Sequence, residues 1–250
     1  MAETAQASWR LVDSGTVSPA RSAATDEAIL NARISCTVPD TLHFYIRDRP
    51  SISIGYNKAV ANSVFMEEAE KRGVEIVRRL SGGSAVYTDQ GQLVFSIILA
   101  DSLLSSDIVK SYSEVCGAVI AGLSILGIRA EHKPVNDILV NGSKISGSAQ
   151  LRRGGAVLHH GTLLVDTDVD AISSLIRPSG GATGSKKLIC LRDLLGAPPG
   201  MQSVKDAIAK GVGDSFNAAI APGRLTLDEG AEIQKLVGEK YGSRSWNYRL

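Results

Sequence analysis

Apolar and polar residues alternate at every second position in several short stretches of the chain, the signature of half-buried strands. Trp9-Arg10-Leu11-Val12-Asp13-Ser14-Gly15 reads as a first strand ending in a turn. Thr41 to Arg47 and Ser51 to Gly55 alternate in the same way, with Arg49-Pro50 as the break between them. Val74-Glu75-Ile76-Val77 alternates too, and Leu93 to Leu99 is a continuous apolar run of strand length; taken together they predict a hairpin. Asn141-Gly142 is a strong turn signal joining the strand Asp137 to Val140 to one that opens with Lys144. A further strand runs from Ala156 to Val165; its adjacent His159 and His160 point to opposite faces, against a shared metal and for one histidine facing a cleft. His43 reads as a half-buried strand histidine.

Helical spacing takes over elsewhere. Ser22 to Leu30 predicts a helix with Asp26 and Glu27 in an early turn, favourable to the dipole. Val64 to Lys71 predicts another, stopped at Arg72-Gly73. Ile108 to Gly127 carries Val109, Tyr112, Val115, Cys116, Val119, Ile120 and Leu123 on one stripe, so Cys116 reads as a small buried hydrophobe. Asp168 to Ile176, Ser203 to Ala219 and Asp228 to Glu239 complete the set, with Ala221 to Gly223 as a loop.

Between the strands of the first hairpin lie Arg78-Arg79-Leu80-Ser81-Gly82-Gly83-Ser84-Ala85-Val86-Tyr87. Paired glycines let backbone N–H groups approach an anion, and a guanidinium adds charged, bidentate recognition. The spacing matches neither a Walker loop nor a dinucleotide loop. Lys144, followed by Ser146-Gly147-Ser148-Ala149, can aim its ammonium into a cleft floored by small side chains. Pro178 to Gly184 with Lys186 and Lys187 beyond it suits a lid over a polyphosphate, or a solvated linker.

Composition narrows the field. The 250 residues are 44% hydrophobic and 21% charged, with net charge +1, so an anion site must be local and no general attraction to nucleic acid or membrane is expected. Three widely spaced cysteines form neither a zinc pattern nor a disulfide framework, and the polar start lacks a signal sequence. A soluble, cytoplasmic protein is expected.

With these stretches in hand, the sequence resembles the lipoate–protein ligases. Arg79-Leu80-Ser81-Gly82-Gly83-Ser84-Ala85-Val86-Tyr87-Thr88-Asp89 is similar to the family's R-x-S-G-G-G-x-V-[FY]-H-D. Asn136-Asp137 followed by Lys144-Ile145-Ser146-Gly147-Ser148-Ala149 is similar to N-D…K-[IV]-S-G-S-A, and His159 to Leu164 matches H-H-G-T-L-L. The resemblance implies an α+β fold: a mixed, largely antiparallel sheet flanked by helices, as in biotin protein ligases and class II aminoacyl-tRNA synthetases. It implies one catalytic domain over residues 1–250, without the accessory domain many bacterial ligases carry, so an accessory subunit is separately encoded or not needed. It also implies ATP-dependent activation of lipoate, with Mg²⁺, to lipoyl-AMP. Transfer then follows to a lysine of a lipoyl carrier domain: a 2-oxoacid dehydrogenase acyltransferase subunit, a glycine-cleavage H protein or a specialised carrier.

On that resemblance Lys144 is catalytic, neutralising the carboxylate and later the acyl-adenylate carbonyl. Arg79 and the Gly82-Gly83 backbone hold the phosphate, and Asp137 holds Mg²⁺ or the incoming lysine. Asn136 and Gln92 hydrogen-bond the adenylate, Val86 and Tyr87 line the dithiolane slot, and His160 lies near the ligand. Ser81, Ser84, Ala85, Ser146, Gly147, Ala149 and Thr162 complete the ligand-binding set, with Lys186 and Lys187 as a nucleotide lid. Ser84 and Thr88 depart from the family pattern, and Gly91-Gln92-Leu93-Val94 is reminiscent of octanoyltransferases. Those relatives use a cysteine at positions where this chain has none, which favours adenylation over ATP-independent octanoyl or lipoyl transfer. A non-catalytic lipoyl-binding protein is the remaining alternative.

Overall fold

The computed structural model describes residues 6–178 and 187–250. The described residues form eleven strands, of which β5, β7 and β11 were not expected: β1 (Ala7–Val17), β2 (Thr41–Arg47), β3 (Ser51–Ile54), β4 (Glu75–Arg78), β5 (Val86–Thr88), β6 (Gln92–Ala100), β7 (Glu131–Lys133), β8 (Asp137–Val140), β9 (Ser143–Arg153), β10 (Ala156–Leu164) and β11 (Ala218–Pro222). The helices are α1 (Pro19–Ile34), α2 (Val60–Ser63), α3 (Met66–Lys71), α4 (Ile108–Ile125), α5 (Val169–Leu175), α6 (Leu191–Leu195), α7 (Met201–Phe216), α8 (Leu227–Leu236) and α9 (Arg244–Asn247). The large sheet has the order β11-β1-β2-β6-β10-β9-β8-β7, parallel from β11 to β2 and antiparallel from there on. A second sheet has the order β4-β3-β5.

Period-two alternation sorts the large sheet into two faces. Odd-numbered Leu93, Phe95, Ile97 and Leu99 of β6 join Leu42, Phe44, Val157 and Leu163 beneath α4 and α7. Ile98 and Leu158 face the other way and meet Ile29 and Leu30 of α1. Although α4 is long and apolar enough, by length and composition, to cross a membrane, it is part of this core. Its contact with α7 is close: a Cβ on Gly211 would stand 2.3 Å from Gly122 N and 2.6 Å from Ala118 O.

Several expectations change. Strands β4 and β6 do not form a hairpin, because β4 pairs with β3 in parallel and β6 belongs to the large sheet. The helix expected over Val64 to Lys71 is broken: Val64 is extended and bridges Ile176, with α2 before it and α3 after. Residues 218–222 form a strand where the end of a helix (to Ala219) and a loop (from Ala221) were expected, since their backbone completes the edge beside β1. Val109 is 49% exposed, off the buried stripe. By contrast Asn141 and Gly142 both adopt positive φ, 50° and 73°, as a two-residue β8–β9 turn requires.

Arg10 and Glu229 tie β1 to α8 through two bonds, Nη1 to Oε2 at 2.9 Å and Nη2 to Oε1 at 2.7 Å. Burial alone would raise the Glu229 carboxyl, but Arg10 and the Thr226 backbone outweigh it, so its pKa lies below the usual range. A depressed carboxylate contributes stability above its unfolded pKa and loses it as pH falls through the folded value. Glu229→Gln is therefore expected to flatten part of the fall in Tm on acidification below about pH 5, read by calorimetry against pH. Gly211→Ala is expected to lower unfolding stability by about 1–3 kcal/mol through overpacking at α4, measured by urea titration.

Candidate active site

The face of the large sheet opposite α4 and α7 is covered by α1 toward one end and by the small sheet toward the other. Between them lies a cavity of about 440 Å³, within the usual range for small-molecule sites. Its floor is Tyr45 and Arg47 of β2, Gln92 and Val94 of β6, and His160, Thr162 and Leu164 of β10, continued by Ser146, Gly147 and Ala149 of β9. Val86 and Tyr87 of β5 and the preceding Gly83-Ser84-Ala85 form the roof, and Ile172 and Ile176 close one side.

Arg79 follows β4 directly and its side chain is buried. Nη1 donates to Ser53 O (2.7 Å), Nη2 to Gly82 O (2.6 Å) and Ser84 O (2.8 Å), and Nε to Ser81 Oγ (3.1 Å). Burial pushes its pKa down to about 10, so it stays charged at neutral pH. Among the described residues it has no carboxylate partner. The loop was expected to offer N–H groups and this guanidinium to an anion; instead, its carbonyls turn inward onto Arg79. Gly83 permits this with φ 92°, and Gly55 lets the neighbouring loop touch it, since a Cβ at Gly55 would stand 2.0 Å from Gly83 O.

Lys144 lines the same cavity as Arg79. The Asn141-Gly142 turn brings its Nζ to 2.6 Å from Asp137 Oδ1. Gly147 lies beneath, where a Cβ would stand 2.4 Å from Nζ, so only glycine leaves the ammonium its place. Asn136 also lines the cavity and donates from Nδ2 to Ser148 O at 2.6 Å. Asp137 does not line it: its carboxylate is engaged by Lys144, and the described residues contain no group of three potential metal ligands, which leaves the Mg²⁺ expectation without a cluster. Ser81 and Gly82 do not line it either, Ser81 being buried and Gly82 exposed. Lys187 is exposed and its carbonyl accepts from Lys144 N (2.8 Å), while Lys186 and the loop 179–184 lie outside the described residues.

A chain of side chains running from the cavity lining into the protein was missed in the sequence. Ser81 Oγ is 2.6 Å from His160 Nε2, His160 Nδ1 is 3.4 Å from Asp26 Oδ2, Asp26 Oδ1 is 2.9 Å from His43 Nδ1, and His43 Nε2 is 2.8 Å from Ser14 Oγ. Asp26 was expected in an early helical turn, favouring the dipole; α1 instead begins at Pro19, and Asp26 is buried one turn after Ser22. Burial would raise its pKa, but the two histidines hold it well below the usual carboxylate range. His43 is fully buried rather than half-buried. His159 faces the core against Tyr112, and burial pushes its pKa down to about 3.

None of the three cysteines lines the cavity. Cys116 lies on the core side of β9 with its pKa pushed up to about 11 by burial, Cys190 is buried against Thr167 O with its pKa raised by burial, and Cys36 is exposed at the end of α1.

The model of the lipoyl protein ligase A/B catalytic domain matches residues 18–213. The chain is 31% identical to an octanoyltransferase LipM of Symbiobacterium thermophilum, over 98% of this chain and 99% of that protein. It is 32% identical to one of Kyrpidia tusciae, over 96% and 98%. Among solved structures, the bi-partite lipoate protein ligase of Thermoplasma acidophilum, studied with its E2 lipoyl domain, superposes with a TM-score of 0.86 at 26% identity, covering 97% of this chain and 96% of that one. The expectation of an ATP-dependent lipoate–protein ligase is overturned by these curated relatives, which are octanoyltransferases along their whole length. The chain is an enzyme of lipoate-related protein modification and belongs to the lipoyl protein ligase A/B catalytic-domain family.

Proposed function

We propose that this enzyme moves an octanoyl-type acyl group, without ATP, from a thioester donor to a lysine of a lipoyl carrier domain. The observation that carries the reading is a cavity whose walls are apolar along Val86, Val94, Leu164, Ile172 and Ile176, with one ammonium, Lys144, at its edge. An alkyl chain suits those walls, and its carbonyl then lies beside the ammonium. A thioester is already activated, so no adenylate is needed to make its carbonyl electrophilic. Lys144 stabilises the oxyanion that forms there, and Asp137 holds Lys144 in place. No thiol lines the cavity among the described residues, which supports direct attack by the carrier lysine rather than a cysteine-bound intermediate.

The test supplies octanoyl-acyl carrier protein and an apo lipoyl domain in the absence of ATP, and intact-mass spectrometry is expected to show the octanoyl increment on the domain. Modification that appears only with a free acid plus ATP overturns the reading. Lys144→Ala is expected to lower kcat by about 10²–10³-fold with the fold retained by circular dichroism. Cys116→Ala and Cys190→Ala are expected to keep transfer activity, checked by the same assay.

A further inference from the structure

Proton flow is the part of the transfer that Lys144 cannot provide. A carrier lysine arrives as an ammonium and must lose a proton before it attacks. Lys144 is itself a cation paired with Asp137, and Asp26 is held too acidic to keep a proton. His160 is the imidazole on the cavity floor among the described residues.

The hydrogen bonds around His160 fix its form. Both imidazole Nδ1 atoms face the Asp26 carboxylate, an acceptor only, so His160 and His43 each carry a proton on Nδ1. Nε2 of each ring is left as an acceptor: Ser14 Oγ–H donates to His43 and Ser81 Oγ–H donates to His160. Arg79 Nε–H in turn donates to Ser81 Oγ. Every donor meets an acceptor with both rings neutral, and the basic nitrogen of His160 is the one directed away from Asp26. On the β9–β10 ladder His160 pairs with Ala149, while Gly147, under the Lys144 ammonium, pairs with Thr162. The two groups therefore sit about 7 Å apart along the strands on one face, with space between them for a carbonyl and an attacking nitrogen.

We propose that His160 is the base that takes the proton from the carrier lysine, and that Asp26, backed by His43, is the positioning residue that fixes its tautomer. This rests on the acyl transfer proposed above. The ammonium gives one proton to His160 Nε2, displacing the Ser81 hydroxyl. The neutral amine attacks the thioester carbonyl; the C–N bond forms as the C–S bond breaks. A second nitrogen proton goes to the departing thiolate, and the imidazolium releases its proton to solvent. One proton is released per transfer.

The charged and titratable neighbours of His160 set the sign of its pH dependence. The charged groups around His160 are Asp26 of α1, Arg79, Arg47 of β2 and Lys144. His43 contacts the same carboxylate from β2, and His159 lies on the same strand. Tyr45 is kept protonated by burial, and Tyr241, with its hydroxyl on Glu27, by burial and that carboxylate. Transfer to the lysine requires neutral His160, so it is expected to fall on the acid side. Asp26→Asn removes the acceptor that fixes the Nδ1 tautomer and is expected to lower the plateau rate of transfer to the lysine.

The deciding experiment compares two nucleophiles with octanoyl-acyl carrier protein as donor: the apo lipoyl domain, whose lysine needs a base, and hydroxylamine, which is neutral at neutral pH and needs none. His160→Gln is expected to slow transfer to the lysine by about 10²–10⁴-fold, to recover as pH rises, and to stay within a few-fold of wild type on hydroxylamine. Equal loss on both nucleophiles overturns the proposal, as does an octanoyl adduct on Ser81 by peptide mass spectrometry. If His160→Gln does not fold, the wild-type pH profiles decide: an acid limb with lysine that is absent with hydroxylamine supports the base, and identical profiles overturn it. Absence of any ATP-independent transfer by wild type sinks the underlying reaction instead, a separate outcome.

Discussion

Two adjacent guanidinium groups, buried in neutral surroundings, fix the wall of the cavity. Successive strand residues point to opposite faces, so Arg78 and Arg79 reach into different halves of the molecule from one end of β4. A buried guanidinium with unmatched donors is strongly unfavourable, and both side chains meet that demand with oxygen acceptors that carry no charge. Arg79 gathers the carbonyls of Ser53, Gly82 and Ser84. Arg78 gathers those of Gly55, Tyr56, Lys58, Trp246 and Asn247. Gly55 belongs to both arrangements, bonded to one arginine and pressed against the glycine loop of the other. The loop backbone is thereby set by charge satisfaction, before any ligand enters.

That constraint explains the division of labour on the sheet face. Fixed cations at one wall and the Lys144–Asp137 pair at another leave the middle of the floor to Val94, Thr162, Leu164 and Ala149, a surface fit for a chain without polar atoms. The imidazole–carboxylate pair occupies the end covered by α1. Polar chemistry at the margins and an apolar centre is the arrangement a fatty acyl thioester calls for.

The parts legible in the sequence were those whose signal is local. The turn at Asn141-Gly142 needs two positive φ values and announces itself by residue type; it delivered Lys144 to the cavity with Asn136 nearby. Opposite faces for His159 and His160 followed from period two alone. Three things were not legible. Whether Arg79 shows its donors to a ligand or to its own loop depends on where Ser53 lies, a tertiary fact. Asp26 looks like any acid in an early helical turn until β2 and β10 set two imidazoles against it. The parallel pairing of β4 with β3 leaves no trace in either strand's pattern, and a hairpin was the simpler reading. The motif residues pointed to a ligase, whereas the similar proteins are octanoyltransferases, so the reaction was not legible in the motifs.

The grip of Arg78 on residues 246 and 247 is reinforced from the other side. Asn247 Oδ1 accepts from Arg78 N, and Trp246 Nε1 donates to Arg78 O. Two segments far apart in order of synthesis thus close one wall. A nascent polypeptide on the ribosome can lay down both sheets and the lysine turn, yet its glycine loops stay unanchored until residue 247 has cleared the exit tunnel. Order in the glycine loops therefore depends on a segment remote in sequence, so this wall of the cavity closes only once that segment has docked.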